Sequence, residues 1–393
     1  MKQYALITGS YWVFTLTDGA LRMLVVLYFH ELGYSPLDIA FLFLFYEFFG
    51  IITNLFGGWL AARMGLSATI ISGLFLQTFA LGMLLVDSSY LTVAYVMTAQ
   101  ALSGVAKDLN KLGAKSSVKL VAGDNQTKLY RWVAWLTGSK NALKGVGFFA
   151  GGAGLATIGF TASVVTMVLC VGVVGVVALL LLDTNLGKAS FKPKFSELFS
   201  KSRQINLLSA ARLFLFAARD VWFVVALPVF LQIELGWSSI SVGTFLAAWV
   251  IGYGLVQAIA PKITNIVQKG VPDGRAALLW GLPLVIVPVA MVVGLQQRSD
   301  PTTVIVFGLA CFALVFAMNS ALHSFLITSY ANSDGVSLDV GFYYTANAVG
   351  RLLGTVCSGW IYQAHGMAAC LSVSAFFIAL VLLISLGLLR PPK

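Results

Sequence analysis

The chain has 393 residues, of which 59% are hydrophobic and only 10% charged, with a formal net charge of +10. A water-soluble domain carries about 25% charged residues, so this composition cannot cover an aqueous surface of that extent. An excess of positive charge would point to nucleic acid in a soluble protein, but here the basic residues fall between long apolar runs and that class is set aside.

Apolar runs of about 18 or more residues predict helices that cross a membrane, because hydrocarbon leaves the backbone no partner but itself. They lie near 5–29, 38–62, 67–86, 90–112, 132–156, 160–182, 205–230, 239–261, 276–295, 302–328, 340–361 and 367–389. The fourth ends among lysines and the fifth contains Lys140 and Lys144. The expected fold class is an all-α membrane protein with twelve transmembrane helices. The alternating ten-residue pattern of a membrane β-barrel is absent. Met1-Lys2 leads straight into the first run without an A-x-A-like site, so no cleaved signal peptide is expected. With the N-terminus in the cytoplasm, the inner loops hold nearly every loop cation, from Lys2 and Arg63 to Arg390 and Lys393, while the outer loops hold Arg298. The positive-inside rule then puts both termini in the cytoplasm. Cys170, Cys311, Cys357 and Cys370 lie in apolar runs without CxxC spacing and read as packing residues.

The long polar connector 183–204 divides the chain into an N-terminal six-helix half, 1–182, and a C-terminal half, 205–393. The halves repeat: Glu31-Leu32-Gly33 matches Glu234-Leu235-Gly236 at an offset of 203, and Val146-Gly147-x-x-x-Gly151 matches Val349-Gly350-x-x-x-Gly354 at the same offset. Two pseudo-symmetric halves imply a transporter with its site near the midplane between them.

Gly58-x-x-x-Ala62-Arg63-x-Gly65, after the second span, resembles the G-x-x-x-D-R/K-x-G signature of the major facilitator superfamily. It lacks the aspartate (Ala62) and the basic residue after the last glycine (Leu66). Gly147-Phe-Phe-Ala-Gly151-Gly152 is similar to that superfamily's antiporter motif with Phe148 in place of proline; its plainer reading is close helix packing. The opening YWVFTLTDGALRMLVVLYFHELGYSP, with YEFFGIITNLFGGW and AKDLNKLGAKSSVK, looks like the ArsJ-type organoarsenical efflux permeases of bacteria. That resemblance implies export of 1-arseno-3-phosphoglycerate across the bacterial plasma (inner) membrane and arsenate resistance. It also implies a functional partnership with a glyceraldehyde-3-phosphate dehydrogenase that makes the adduct.

Ionisable residues inside the spans carry the chemistry, because each costs roughly 2.5–3.5 kcal/mol to insert. The cations are Arg22, Lys140, Lys144, Arg212, Arg219 and Arg351; the anions are Asp18, Glu47 and Asp220. Asp18 and Arg22 share a helix face at i,i+4. The cation excess is expensive unless a ligand supplies the countercharge, which predicts an anionic small-molecule substrate held by Arg22, Lys140, Lys144, Arg219 and Arg351, with Asn347 and Tyr343 beside them. Some of these cations could instead snorkel or pair structurally, Arg212 first among them. Lys107, Lys111, Lys115 and Lys119 repeat at i,i+4 and form a stripe that either steers anions toward the site, through Lys107 and Lys111, or anchors on lipid. Asp18, Glu47 and Asp220 are candidates for proton coupling or charge balance. Tyr11, Trp12, Tyr46, Trp222 and Trp249 are candidate lining aromatics, and His323 reads as a hydrogen-bonded core residue.

No HExxH, GxSxG or P-loop pattern is present, and three histidines are too few for a metal centre. The expectation is therefore a monomeric secondary transporter and not an enzyme, without cofactor, metal or nucleic acid, working by proton-coupled alternating access in the lipid bilayer. An organophosphate or drug exchanger of the same fold is the alternative, ahead of an intramembrane enzyme or receptor.

Overall fold

The computed structural model describes residues 2–32, 42–183, 185–188, 202–237, 239–267, 271–297 and 300–389. The chain folds into α1 (Lys2–Glu31), α2 (Leu44–Met64), α3 (Leu66–Met83) and α4 (Val93–Ala122), then one helical stretch, Gln126–Leu181. That stretch is broken at Gly159, whose φ of 80° is left-handed, so it is two helices, α5 (126–158) and α6 (160–181). α7 (Arg203–Phe223) continues after two residues as Ala226–Ile233. α8 (Ser239–Val267), α9 (Gly274–Gln296) and α10 (Pro301–Tyr330) follow. The stretch Val336–Leu386 is broken at Gly366, φ 72°, into α11 (336–365) and α12 (367–386).

Eight stretches are long and apolar enough to cross a membrane, among the described residues. Two of them are the pairs split at glycine, and α2 and α4 add two helices of spanning length (21 and 30 residues) that are more polar. Each of the twelve predicted spans thus has its helix, with positions 38–41 of the second span outside the described residues. The protein is a multi-pass membrane protein whose secondary structure is all helical among the described residues.

Two features differ from the sequence pattern. First, α4 runs ten residues past its predicted end at 112, because hydropathy measures what lipid accepts, and this end is buried in protein. Lys115, Ser116, Ser117 and Val118 are all buried. Second, no polar loop separates α5 from α6 or α11 from α12. Across the first bend, a Cβ on Gly154 would lie 2.7 Å from Ser163 Oγ, and across the second, Cys370 Sγ is 4.0 Å from the Ser358 carbonyl. In a straight helix those pairs would be about 13 and 18 Å apart at 1.5 Å per residue, so a single glycine reverses the chain. Only glycine takes that backbone conformation without penalty.

The chain divides into two compact units. The first comprises Met1–Asn125, Ser139–Ser200 and Ala331–Thr345; the second comprises Gln126–Gly138, Lys201–Tyr330 and Ala346–Lys393. Most of each unit comes from one sequence half, and the exchanged pieces are the starts of α5 and α11.

Glycines set the helix crossings inside each unit. In the first, a Cβ on Gly147 or Gly151 would strike the carbonyl oxygens of Leu16 and Ala20 on α1. In the second, Gly350 and Gly354 stand in the same way against Leu213 and Ala217 on α7. The repeat at offset 203 is therefore a packing device, used twice, and the antiporter-like segment is a helix contact. Gly138 and Gly341 extend the series at the same offset. Gly341 of α11 packs on Asn54 and Gly58 of α2 in the first unit; Gly138 of α5 packs on Gly254 and Ala258 of α8 in the second. Ala62, standing where the signature has aspartate, is buried in an apolar contact with Leu338. Gly65, φ 99°, breaks the chain between α2 and α3.

Overpacking a close crossing costs about 1–3 kcal/mol. Gly151→Val and Gly350→Val are expected to lower the melting temperature of the detergent-solubilised protein, whereas Gly359→Ala, with open space around its Cβ position, is expected to leave it unchanged. Equal melting temperatures for all three would refute the packing role.

Candidate functional site

The charges inside the membrane are gathered into clusters by the crossings just described. In the second unit α7 is started by Ser202, whose Oγ accepts the Ile205 N–H at 3.3 Å. The Gly350/Gly354 contact then holds α11 backbone-close to α7, which brings Arg351 to Asp220. The Asp220 side chain is fully buried. Its Oδ1 accepts from Arg219 Nε at 2.6 Å, with Nη2 at 2.5 Å, and its Oδ2 accepts from Arg351 Nε at 3.2 Å. One carboxylate thus holds two guanidinium groups. Arg219 also lies over the rings of Phe216, Phe223 and Phe316, at 4.8–5.7 Å from their centroids. Two turns earlier on α7, Arg212 donates from Nε to Asn347 Oδ1 at 2.9 Å and from Nη1 to the Ser320 hydroxyl and carbonyl at 3.2 and 3.3 Å, and stacks on Phe216 at 4.0 Å. It is 3% exposed, so it is a buried cation held by neutral groups and does not snorkel.

In the first unit, Trp12 Nε1 donates to Ser139 Oγ at 2.8 Å, and Gly147 and Gly151 bring α5 against α1. Lys144 comes to 3.8 Å from Asp18 Oδ2, and the Tyr46 hydroxyl donates to Asp18 Oδ1 at 2.5 Å. Asp18 is buried. Its neighbour one turn on, Arg22, packs over the rings of Phe43 and Tyr46 at 5.2 and 4.9 Å. The registers of the two α1/α7 contacts make Arg22 and Arg219 equivalent, each six residues past the residue, Leu16 or Leu213, that meets the first glycine. Lys140 is half-buried one turn before Lys144. Tyr343 is fully buried in this unit with its ring edge-on to Tyr344.

The lysine stripe on α4 takes a different form from the one its spacing implies. Asp108 lies beside it, 1% exposed, with Lys111 Nζ at 2.5 Å and Lys107 Nζ at 3.9 Å. Lys107 also stands over the Tyr46 ring at 3.8 Å and Lys111 over Tyr344 at 4.8 Å. Lys115 is buried and Lys119 donates to the Ala331 carbonyl. These lysines are held by protein groups and do not form an open ladder. Asp108 and Ser320 are functional candidates that the span-by-span reading passes over. The signal for Asp108 was an acid inside the predicted span 90–112, masked by the lysines around it.

Of the remaining candidates, the side chain of Glu47 lies outside the described residues. His323 is fully buried, and neither ring nitrogen has a hydrogen-bond partner among the described residues, so the hydrogen-bonded core histidine expected here is not found. Trp222 and Trp249 pack edge to face at 6.1 Å in the apolar core of the second unit. Asn54 donates to the Gly50 carbonyl on its own helix. Groups of three or more His, Cys, Asp or Glu side chains able to hold a metal are absent among the described residues.

The sequence matches the Major Facilitator Superfamily over residues 7–335. Its structure is similar to that of the human organic anion transporter MFSD10 (TETRAN), with a TM-score of 0.75 at 14% identity, covering 97% of this chain and 99% of the other. It is similar to FucP of E. coli in the outward conformation, with a TM-score of 0.78 at 11% identity and 99% coverage of both chains. It is also similar to a bacterial homologue of the iron transporter ferroportin in the outward-facing state, at 0.76 and 15%, covering 98% of this chain and 99% of that one. At these identities the likeness is one of fold. No curated protein matches the sequence.

Removing one partner of a buried ion pair costs about 3–5 kcal/mol, less at the Arg351 side chain, which is 35% exposed. Asp220→Asn is therefore expected to destabilise the protein strongly. Asp220→Asn combined with Arg219→Gln is expected to recover part of the loss, which a double-mutant cycle of melting curves measures. Strictly additive losses would mean that Asp220 does not serve as the shared counter-ion.

Proposed function

The chain belongs to the major facilitator superfamily, and on that premise we propose that this secondary transporter carries an organic oxyanion out of the cytoplasm. The observation that carries this reading is the pairing of surplus buried cations with single carboxylates. Arg219 and Arg351 share Asp220, Lys107 and Lys111 share Asp108, and Arg212 donates to Asn347 and Ser320. Guanidinium groups suit the planar, bidentate recognition of phosphate, arsenate and carboxylate, and lysine adds a movable point charge. The binding groups we propose are Arg22, Lys140, Lys144 and Tyr343 in the first unit and Arg219, Asn347 and Arg351 in the second. That a similar fold serves an organic anion transporter in MFSD10 is consistent with an anionic cargo.

The cargo we propose is 1-arseno-3-phosphoglycerate, on the resemblance of the opening segment and of the α2 and α4 segments to the ArsJ-type permeases. The protein then sits in a bacterial plasma membrane with both termini in the cytoplasm, and a glyceraldehyde-3-phosphate dehydrogenase feeds it. An inside-negative potential favours this direction, by about 2.3 kcal/mol per charge for each 100 mV. Protons enter through the carboxylates Asp18, Asp220 and Glu47.

The test is arsenate resistance in sensitive bacterial cells that carry this chain, the dehydrogenase, or both. Resistance is expected only with both, and Lys144→Gln, Arg219→Gln and Arg351→Gln are each expected to lower arsenical efflux by tenfold or more at equal membrane expression. Resistance without the dehydrogenase would rule out the adduct as cargo. Unchanged efflux in all three variants would rule out the anion site itself. Uptake of a sugar phosphate by inside-out vesicles, with no resistance in cells, would favour an organophosphate exchanger.

A further inference from the structure

A second basic site lies in the second unit, away from the residues assigned to the cargo. The first turns of α5 and the last turns of α8 enclose a cavity of about 270 Å³, lined among others by Thr127, Arg131, Pro261, Lys262, Asn265 and Val271. Its floor is spent: Tyr130 Oη and Thr264 Oγ1 lie 2.8 Å apart, and Thr264 Oγ1 donates to the Ala260 carbonyl at 2.8 Å. The groups left to meet a ligand are those of the rim. Arg131 and Lys262 are exposed there, and no described carboxylate forms an ion pair with either; Thr127 and Asn265 add neutral donors. Two cations and two neutral donors lining one cavity define a site for an anion of phosphate size.

The surroundings identify the carrier of that phosphate. The site lies at helix ends, where headgroups lie. Its own lining is also apolar in part: Ala258, Pro261, Val271 and Pro272 stand beside the polar groups, and Val271 is 46% exposed. A soluble phosphate compound would gain nothing from such a wall, whereas acyl chains lie along it while the phosphate reaches Arg131 and Lys262. We propose that this cavity binds the headgroup of an anionic phospholipid. The bound lipid touches α5 and α8 beside their close crossing at Gly138, Gly254 and Ala258, and so ties the two helices together at that end. This site shares no residue with the cargo clusters and stands whether or not the cargo is an organoarsenical.

The experiment is native mass spectrometry of the full chain titrated with phosphatidylglycerol, phosphatidylcholine or inorganic phosphate. A basic residue near a lipid surface contributes about fivefold in affinity. Phosphatidylglycerol is therefore expected to be retained over phosphatidylcholine, and the double variant Arg131→Gln with Lys262→Gln is expected to lose roughly 25-fold in its affinity. Arg275→Gln, an exposed cation at the start of α9, is expected to change nothing. Equal retention of the two lipids, or an equal loss in Arg275→Gln, would overturn the site in favour of general charge attraction. Saturation by inorganic phosphate without selective lipid retention would overturn the lipid and assign the cavity to a soluble phosphate.

Discussion

Asp220 exposes no surface and holds two guanidinium groups at once. In hydrocarbon a lone charge is costly, so an ionised group persists only where the protein supplies its counterpart. Each buried carboxylate described above meets that condition with cations from a neighbouring helix or from its own. Asp18 has Lys144 of α5, Asp108 has two lysines of its own helix, and Asp220 has one arginine from each of two helices. Position along the chain brings Asp108 to its lysines and Arg219 to Asp220, but it would not bring Asp18 to Lys144 or Asp220 to Arg351. The glycine crossings do so, by letting backbones approach until short side chains reach across.

The same economy appears in both units. A glycine pair on one helix meets a small or aliphatic pair on another, first for α1 with α5 and then for α7 with α11. A second type of crossing, α2 with α11 and α5 with α8, uses Gly341 and Gly138 in the same way. Because each glycine pair meets the same register of its partner helix, Leu16 and Ala20 or Leu213 and Ala217, the charges repeat in register too, and Arg22 and Arg219 take equivalent places over aromatic rings. Two helices that pack alike therefore present their cations alike, although one cluster uses lysine and the other arginine.

Much of this was legible in the chain. Apolar runs located all twelve helices, since lipid imposes its length and polarity on every span. The matched glycines at 147, 151, 350 and 354 announced the repeat because a close crossing tolerates no other residue. Other features were illegible for physical reasons. Hydropathy could not see that α4 continues to Ala122, because polar residues buried in protein look like residues in water. Asp108 was hidden among lysines that its charge neutralises, so the stripe read as unbalanced. The reversal between α5 and α6 needs no loop, and a composition scan finds only a glycine among many.

Those reversals constrain how the protein can move. At Gly159 and Gly366 one residue joins two membrane crossings, and successive Cα atoms are about 3.8 Å apart. Neither helix of such a hairpin can slide along the membrane normal by more than a few ångströms without dragging its companion. α5 and α6 must travel as one body, and so must α11 and α12. Sliding within a pair is closed off, which leaves tilting of whole hairpins as the motion these four helices can contribute.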